Sequence, residues 1–554
     1  MRLLRFKKRN HQKLGRRKKA TEEKLRKTLG DILSGRMRRP LQFTVPRMDL
    51  QLLESYAVGL VDVKIGIREG EGLYFVDEPL LLPEEEAAYA SALDTIYFTF
   101  TVEETSPEET GDILREEVKK AAEAMGLKLP SSSVDKTTYY LSREIFGHSL
   151  IDVPMLDPNV EDIACNGPES PVTVMHRGYG SLGWLVTNII FPGEDELADF
   201  IRREAHRGGK GISVARPYGD FILPDGSRMA GTLGTEVSRF GSSFSIRKFP
   251  SEPLTLPWLV SENMLSPLMA AYLWHVVEKK RIIFVAGPTA SGKTTLSNAL
   301  LSMLDPKLRF VTIEDTPEVR LPGWRWVSHV TRRSYSIAAE GDRYDIKLSD
   351  LIALSMRERP DYLIVGEVRN AEELIAFIET ATTGHGGVTT LHANDPGTLL
   401  LRLRSMRMER EALDLLWGAV VTNYWEAGVR RVRRITSVVE VIPPLTPGSE
   451  TMAMQVFEWD QDKDSFAPET VEELYDKSNR LQMLSRSLSR DPKRTTLDIQ
   501  QKLKFIEDLV SKRVFGFQAV SQAVKDYYTT RIMPSAETRS HGSTTANSEK
   551  SREN

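Results

Sequence analysis

The sequence predicts an α/β protein: a largely parallel sheet covered by helices, preceded by a smaller mixed α+β region and followed by a helical segment. Three observations predict it. Between 262 and 445, short apolar runs (281–286, 309–313, 362–365, 387–391 and 435–442) alternate with helical patterns, as strands buried between helices do. The first run, RIIFVA, is followed at once by the Gly-rich loop GPTASGKT, which opens the helical pattern TTLSNALLSML. The chain is also long, with 554 residues of which 40% are hydrophobic, enough to bury more than one core.

The elements follow in chain order. Residues 1–40 carry 16 basic and 3 acidic side chains and few periodic apolar positions, so they read as a basic extension. From 41 to 130 a small mixed domain is expected, with strands at 72–76 and 96–102 and a helix at 111–125. A second N-domain, 131–250, has an amphipathic helix near 197–205, then Gly-punctuated turns and a strand at 243–248. Pro250, Pro253 and Pro257 mark a linker over 251–261. After the sheet domain of 262–445, helical patterns at 471–487, 497–511 and 520–528 form a C-terminal segment over 446–534. Residues 535–554 lack Leu, Ile, Val, Phe, Met, Trp and Tyr and read as a disordered tail.

Charge and cysteine content exclude several function classes. The net charge is −3, so with +13 in the first 40 residues the rest of the chain stands at −16. A nucleic-acid binder spreads Lys and Arg over its contact face, and an acidic body with a basic tip makes nucleic acid an improbable partner. Cys165 is the single cysteine, which rules out intrachain disulfides and Cys-based zinc sites. No stretch approaches the roughly 20 apolar residues needed to span a bilayer, and MRLLRFKKRN lacks the apolar core of a secretory signal. A cytoplasmic, soluble protein is expected.

The strongest chemical signal is Gly287-Pro288-Thr289-Ala290-Ser291-Gly292-Lys293-Thr294-Thr295. Glycines let backbone N–H groups converge on phosphate oxygens at a helix N-terminus, Lys293 adds a cation, and the Thr294 hydroxyl is a ligand for Mg²⁺. Downstream, TIEDTPE (312–318) closes the next strand with three carboxylates, Glu314, Asp315 and Glu318. Nucleotide hydrolysis uses such groups to orient water and to hold the metal shell; a capping box or a solvated acidic turn is the plainer alternative. A third strand, DYLIVGE, ends in Glu367, which would reach Mg²⁺ through water. His385 and His392 flank a further strand, at a spacing unlike that of a helical metal pair.

Together GPTASGKT, TIEDTPE, RPDYLIVGEVR and TGHGGVTTLHAN resemble, in order, the Walker A, Asp box, Walker B and His box of the type II and type IV secretion ATPases. These are hexameric motors of pilus assembly, protein secretion and archaellum rotation. The resemblance extends to VEDIACNGP (160–168), LPDGSRMAG (223–231), FGSSFSIRKF (240–249) and RRVRRITSVVEV (430–441). It covers roughly 150–445, is weaker over 446–530, and points to the archaeal branch. It implies a RecA-like P-loop NTPase domain and, position by position, that Lys293 and Thr294 bind phosphate and Mg²⁺. It further implies that Glu318 is the general base with Glu314 its rival, that Glu367 supports the metal shell, and that His392 senses the terminal phosphate with His385 nearby. Arg228 in DGSR and Arg247 in SIRK match positions that deliver guanidinium groups to the nucleotide. The tetracysteine zinc module of the bacterial type II secretion ATPases cannot be built from Cys165 alone.

The function expected is therefore a homo-hexameric, Mg²⁺-dependent ATPase at the inner face of the membrane. It would power assembly or secretion of pilin-like subunits through a polytopic platform protein. An archaellum motor is nearly indistinguishable from this reading, and a conjugation-type ATPase is a further alternative. A nucleic-acid translocase meets the −16 charge as an objection, and a scaffold that binds nucleotide without turnover meets the presence of both Glu318 and Glu367. The basic extension 1–40 is expected either to dock on the anionic leaflet or to be a solvated arm.

Overall fold

A computed structural model describes residues 40–45, 50–99, 107–249, 252–332, 345–406, 415–442, 452–487 and 492–532. The basic extension, up to residue 39, and the tail 535–554 lie outside the described residues. The chain divides into two compact units, one of residues 1–249 with 428–430, the other of 250–427 with 431–554. Among the described residues no helix is long and apolar enough to cross a membrane.

Among the described residues the first unit holds nine strands: β1 (Gln51–Val58), β2 (Val61–Arg68), β3 (Glu71–Asp77), β4 (Val160–Cys165), β5 (Pro171–His176), β6 (Trp184–Ile190), β7 (Tyr218–Ile222), β8 (Arg228–Thr232) and β9 (Ser243–Arg247). They form one sheet in the order β1-β2-β3-β6-β5-β4-β9-β8-β7. The pairings described are antiparallel except β3 with β6. Because β3 pairs with β6, the sheet runs across the boundary expected near residue 130, and the two expected N-domains share one sheet. The helices α1 (Pro83–Thr99), α2 (Pro107–Ala124) and α3 (Ser131–Ile145) form an insertion between β3 and β4.

Helix α1 also replaces the strand expected at 96–102 as far as residue 99; residues 100–106 lie outside the described residues. Its start is written locally: Pro83 leads, Glu84, Glu85 and Glu86 fill the first turn, and Glu85 accepts the Leu82 N–H at 2.7 Å, all favourable at a helix N-terminus. The β-branched Thr95 and Ile96 suggest a strand, yet Ile96 packs in a core with Ala92 and Leu93, the i, i+3, i+4 stripe of a helix. The helical insertion is tied to the end of β3 by a buried ion pair and to the chain before β1 by hydrogen bonds. Arg143 of α3 meets Glu78 at 2.6 Å and donates to the Leu41 carbonyl at 2.7 Å, while Glu78 accepts the Phe43 N–H at 3.0 Å and the Tyr139 hydroxyl at 2.7 Å.

Among the described residues the second unit also holds nine strands: β10 (Ile282–Ala286), β11 (Phe310–Glu314), β12 (Trp326–Val330), β13 (Tyr362–Val365), β14 (Gly386–Leu391), β15 (Leu416–Ala427), β16 (Arg430–Ile442), β17 (Met452–Asp460) and β18 (Ser465–Ala467). Their order is β12-β11-β13-β14-β10-β15-β16-β17-β18. From β12 to β15 the strands are parallel, and β10, β11, β13 and β14 are buried at every position, as a sheet covered on both faces requires. The expected alternation of strand and helix is therefore present. Strands β17 and β18 add antiparallel to this sheet beyond β16.

Four further helices, α12 (Val471–Lys477), α13 (Asn479–Ser487), α14 (Pro492–Ser511) and α15 (Phe517–Ile532), follow the strands. They pack on α7 (Pro267–Glu278), whose start is capped by the Ser266 hydroxyl, and share one hydrophobic core with it. Trp274 of α7 donates to the Tyr528 hydroxyl at 3.1 Å, and Glu440 accepts the Tyr272 hydroxyl at 2.7 Å and the Arg480 N–H at 2.9 Å. His275, Glu278 and Asp498 come within metal-ligand spacing, but Lys502 Nζ reaches Glu278 at 3.1 Å and Asp498 at 2.7 Å. A protein cation already neutralises these carboxylates.

Candidate functional site

In a parallel sheet all the strands point their carboxyl ends to one edge, so residues that follow adjacent strands meet there. The motif residues sit at those ends: Gly287 after β10, Glu314 closing β11, Glu367 just after β13 and His392 just after β14. Chain order runs Walker A, Asp box, Walker B, His box. Strand order places Asp box, Walker B, His box and Walker A side by side, about 5 Å apart from strand to strand. The fold, not the spacing in sequence, makes them neighbours.

The phosphate loop leaves β10 through Gly287, where a Cβ would lie 2.3 Å from the Thr422 carbonyl oxygen, so only glycine permits the close approach. Gly292, at φ +93°, precedes α8 (Lys293–Leu301), and Ala290 also has a positive φ of 62°. Bonds from neighbouring strands hold this loop: Ser291 Oγ meets Thr422 Oγ1 at 2.8 Å, and Arg433 Nε donates to the Ala290 carbonyl at 2.9 Å. Thr289 and Ala290 are exposed, Ser291 is buried, and Pro288, Thr294 and Thr295 are half-buried at the helix start.

Lys293 Nζ donates to the carbonyls of Gly287 at 3.2 Å and Pro288 at 2.9 Å. Burial pulls its pKa below the ordinary lysine value, and the charges of Glu367 and Glu318 oppose that shift. His392 bridges two motifs: Nδ1 lies 3.5 Å from Lys293 Nζ and Nε2 lies 2.9 Å from Glu367 Oε1. An imidazole with its proton on Nε2 satisfies both contacts, since the ammonium only donates and the carboxylate only accepts. The other Glu367 oxygen takes a bond from Arg369 Nε at 3.1 Å, and Arg369 also pairs with Asp315. A chain of contacts thus joins Asp315, Arg369, Glu367, His392 and Lys293 and runs through all four motifs, with two links, Arg369 and Glu367, from the Walker B segment. Sequence reasoning missed Arg369 as a link although it lies inside RPDYLIVGEVR; a lone exposed arginine after a strand carries no signal until its partners are known.

Glu314 and Glu318 differ sharply. Glu314 is buried, and burial pushes its carboxyl up to about 7 despite two backbone N–H bonds. Those bonds come from Glu318 at 2.9 Å and Val319 at 3.0 Å. Glu318 is exposed.

Two expectations need separate statements. His385 precedes β14 whereas His392 follows it, so six strand residues separate them, roughly 20 Å. His385 therefore lies at the opposite edge, where Nδ1 contacts Thr383 Oγ1 at 2.8 Å, and it is not beside His392. Proximity in sequence misled because a strand carries its two flanks to opposite edges. Arg228 and Arg247 belong to the first unit, where they are direct cross-strand partners on β8 and β9. Arg228 Nε bonds Asp220 at 2.9 Å and Arg247 Nε bonds Asp162 at 3.1 Å, so both guanidinium groups stand together, exposed and oriented by carboxylates.

A model of the type II/IV secretion system protein family matches residues 188–442. Among curated relatives, the conjugal transfer protein TrbB of Rhizobium radiobacter is 30% identical over 52% of this chain and 86% of its own length. The chain belongs to the type II/IV secretion ATPase family. A second relative of this family member, an uncharacterised protein of Methanocaldococcus jannaschii, is 31% identical over 84% of this chain and 86% of its own. Among solved structures, the Legionella pneumophila ATPase DotB is 17% identical with a TM-score of 0.39, over 68% of this chain and 94% of that one. The VirB11 ATPase of Brucella suis is 24% identical with a TM-score of 0.26, over 52% and 91%. The fold assignment of this secretion ATPase family chain stands on its own sheet order.

Proposed function

We propose that this protein hydrolyses ATP with Mg²⁺ as a homo-hexamer at the inner face of the membrane and drives assembly or secretion of pilin-like subunits through a polytopic platform protein. The observation that carries the hydrolytic part is the convergence of Lys293, His392 and Glu367 beside the phosphate loop. The donor set fits a hard cation: the Thr294 hydroxyl opens α8 and the Glu367 carboxylate lies near enough for its charge to act on Lys293, oxygen ligands of the kind Mg²⁺ takes. Thr294, and Glu367 through water, would hold Mg²⁺, which supplies charge neutralisation on the phosphate oxygens.

The chain's own residues then divide the work. The loop N–H groups and Lys293 bind the terminal phosphates. Glu318 accepts the proton of the attacking water as its oxygen bonds to the terminal phosphorus and the bond to the leaving phosphate breaks. His392, held by Glu367, keeps Lys293 and the metal-supporting carboxylate in fixed relation. Arg228 and Arg247 offer a paired cationic surface for phosphoryl charge.

The conjugation-type reading is favoured by the TrbB match, but that match covers only 52% of this chain. The Methanocaldococcus relative extends over 84% of it, and an archaeal pilus, secretion or archaellum system suits that longer match. Magnesium-dependent phosphate release by the purified chain, lost in Lys293→Ala, tests the enzyme. Co-purification with the platform protein encoded beside it tests the system. Absence of phosphate release from a folded, nucleotide-binding protein overturns the proposal.

A further inference from the structure

Of the two Asp-box carboxylates, Glu314 is the one at the end of a strand buried at every position. Its side chain is bound up locally: Oε1 accepts the backbone N–H groups of Glu318 and Val319, while Oε2 is buried with no hydrogen-bond partner among the described residues. A Cβ at Gly366 would lie 3.1 Å from Glu314 Cγ, so the Glu314 side-chain stem lies close to Gly366, the residue before Glu367. A general base must meet water; this carboxyl is 2% exposed. Glu318, one turn of loop further on, is exposed, and its charge is felt at Lys293.

We propose that Glu314 is a positioning residue: its carboxylate staples the turn 315–319 through two backbone N–H bonds and thereby aims Glu318 at the phosphate site, without itself taking the proton. The inference rests on the ATPase reading above. Two side chains of one shape discriminate it from a role as base. Gln at 314 keeps an acceptor oxygen for both N–H groups but cannot take a proton, whereas Ala removes the staple.

In the full chain with MgATP, Glu314→Ala should lower kcat by about a hundredfold, as small misplacements of a reacting group do, with KM within about threefold. Glu314→Gln should stay within about fivefold of the parent in kcat, the cost of losing charge assistance in a bond. Glu318→Gln should fall by about a hundredfold or more. If Glu314→Gln falls as far as Glu318→Gln, Glu314 is the base and the inference is overturned. If Glu314→Ala matches the parent, there is no staple. Amide exchange over 314–319 gives a readout independent of turnover: faster exchange in Glu314→Ala with near-parental exchange in Glu314→Gln supports the staple, and parental exchange in both removes it. A parent without turnover defeats the ATPase reading while leaving this second measurement able to judge the staple.

Discussion

Both units of this chain are built on nine-stranded sheets, yet the two sheets bring functional side chains together by different rules. In the antiparallel sheet of the first unit, the units of organisation are cross-strand pairs: Arg228 opposes Arg247, which in turn opposes Asp162. Side chains far apart in sequence meet as partners on adjacent strands. In the parallel part of the second unit's sheet, side chains within β10, β11, β13 and β14 are buried and polar groups are left to the carboxyl ends, where Glu314, Glu367, His392 and the candidate phosphate loop line up. The first arrangement orients two cations by carboxylates. The second concentrates carboxylates, a lysine and an imidazole around one loop.

The sharpest way to break this contrast is at Lys293. Lys293→Ala should weaken nucleotide binding and reduce turnover by about a thousandfold, since it removes the charge aimed at the terminal phosphates, while Glu367→Gln should leave binding intact and stop turnover. Calorimetric titration of nucleotide with parallel phosphate-release assays separates the two roles. Equal binding by Lys293→Ala and parent would move the site elsewhere.

The first unit should fail differently. Arg143→Leu strands Glu78 without its buried partner, at a cost of about 3–5 kcal/mol, seen as an earlier unfolding transition in calorimetry. Nucleotide binding below that transition should persist, because the phosphate loop belongs to the other unit. One unfolding step shifted as a whole would contradict this separation.

In the second unit, pH should reveal the cost of burying Glu314. Its pKa is raised from 4.5 to about 7, so the unfolded chain ionises first and stability falls as pH rises from about 4.5 through about 7. The fall is at most about 3 kcal/mol. Glu314→Gln should flatten that slope in denaturant titrations at several pH values and be more stable than the parent at pH 8. An unchanged slope would assign the pH dependence to other groups.

Arg228→Ala and Arg247→Ala probe whether the arginine pair of the first unit serves the second. Each should lower kcat by about a hundredfold while changing stability by less than about 1 kcal/mol, since both ion pairs are exposed. Specific activity should also rise with protein concentration if the pair acts across subunits; a constant value over dilution that dissociates the ring would end that reading. Deletion of residues 1–39 should have the smallest effect on turnover, leaving it unchanged, and should weaken membrane attachment by up to about 1 kcal/mol per basic side chain near an anionic leaflet. Flotation with anionic and neutral liposomes over a salt series measures it.

How legible the site was depends on how local its cause is. The phosphate loop and the strands of the parallel sheet were readable because glycine spacing and uninterrupted apolar runs report local requirements. Helix α1 was misread at 96–99 because β-branched residues favour a strand locally while packing against Ala92 and Leu93 decides for a helix. The pairing of β3 with β6 was invisible because 112 residues lie between Leu73 and Val186, and no local pattern specifies a long-range partner.

Residue types alone marked Gly287–Thr294 as the candidate phosphate loop and Glu314, Glu318 and Glu367 as candidate carboxylates, because those chemistries need particular side chains in a short span. Tertiary structure decided which of them act together. It set His392 rather than His385 beside Lys293, joined Arg369 to Glu367 and Asp315, and buried Glu314 while leaving Glu318 in reach of water. The physical reason is strand order: hydrogen bonding between strands fixes which carboxyl ends are neighbours, and burial at those ends fixes which carboxylate is free to move a proton.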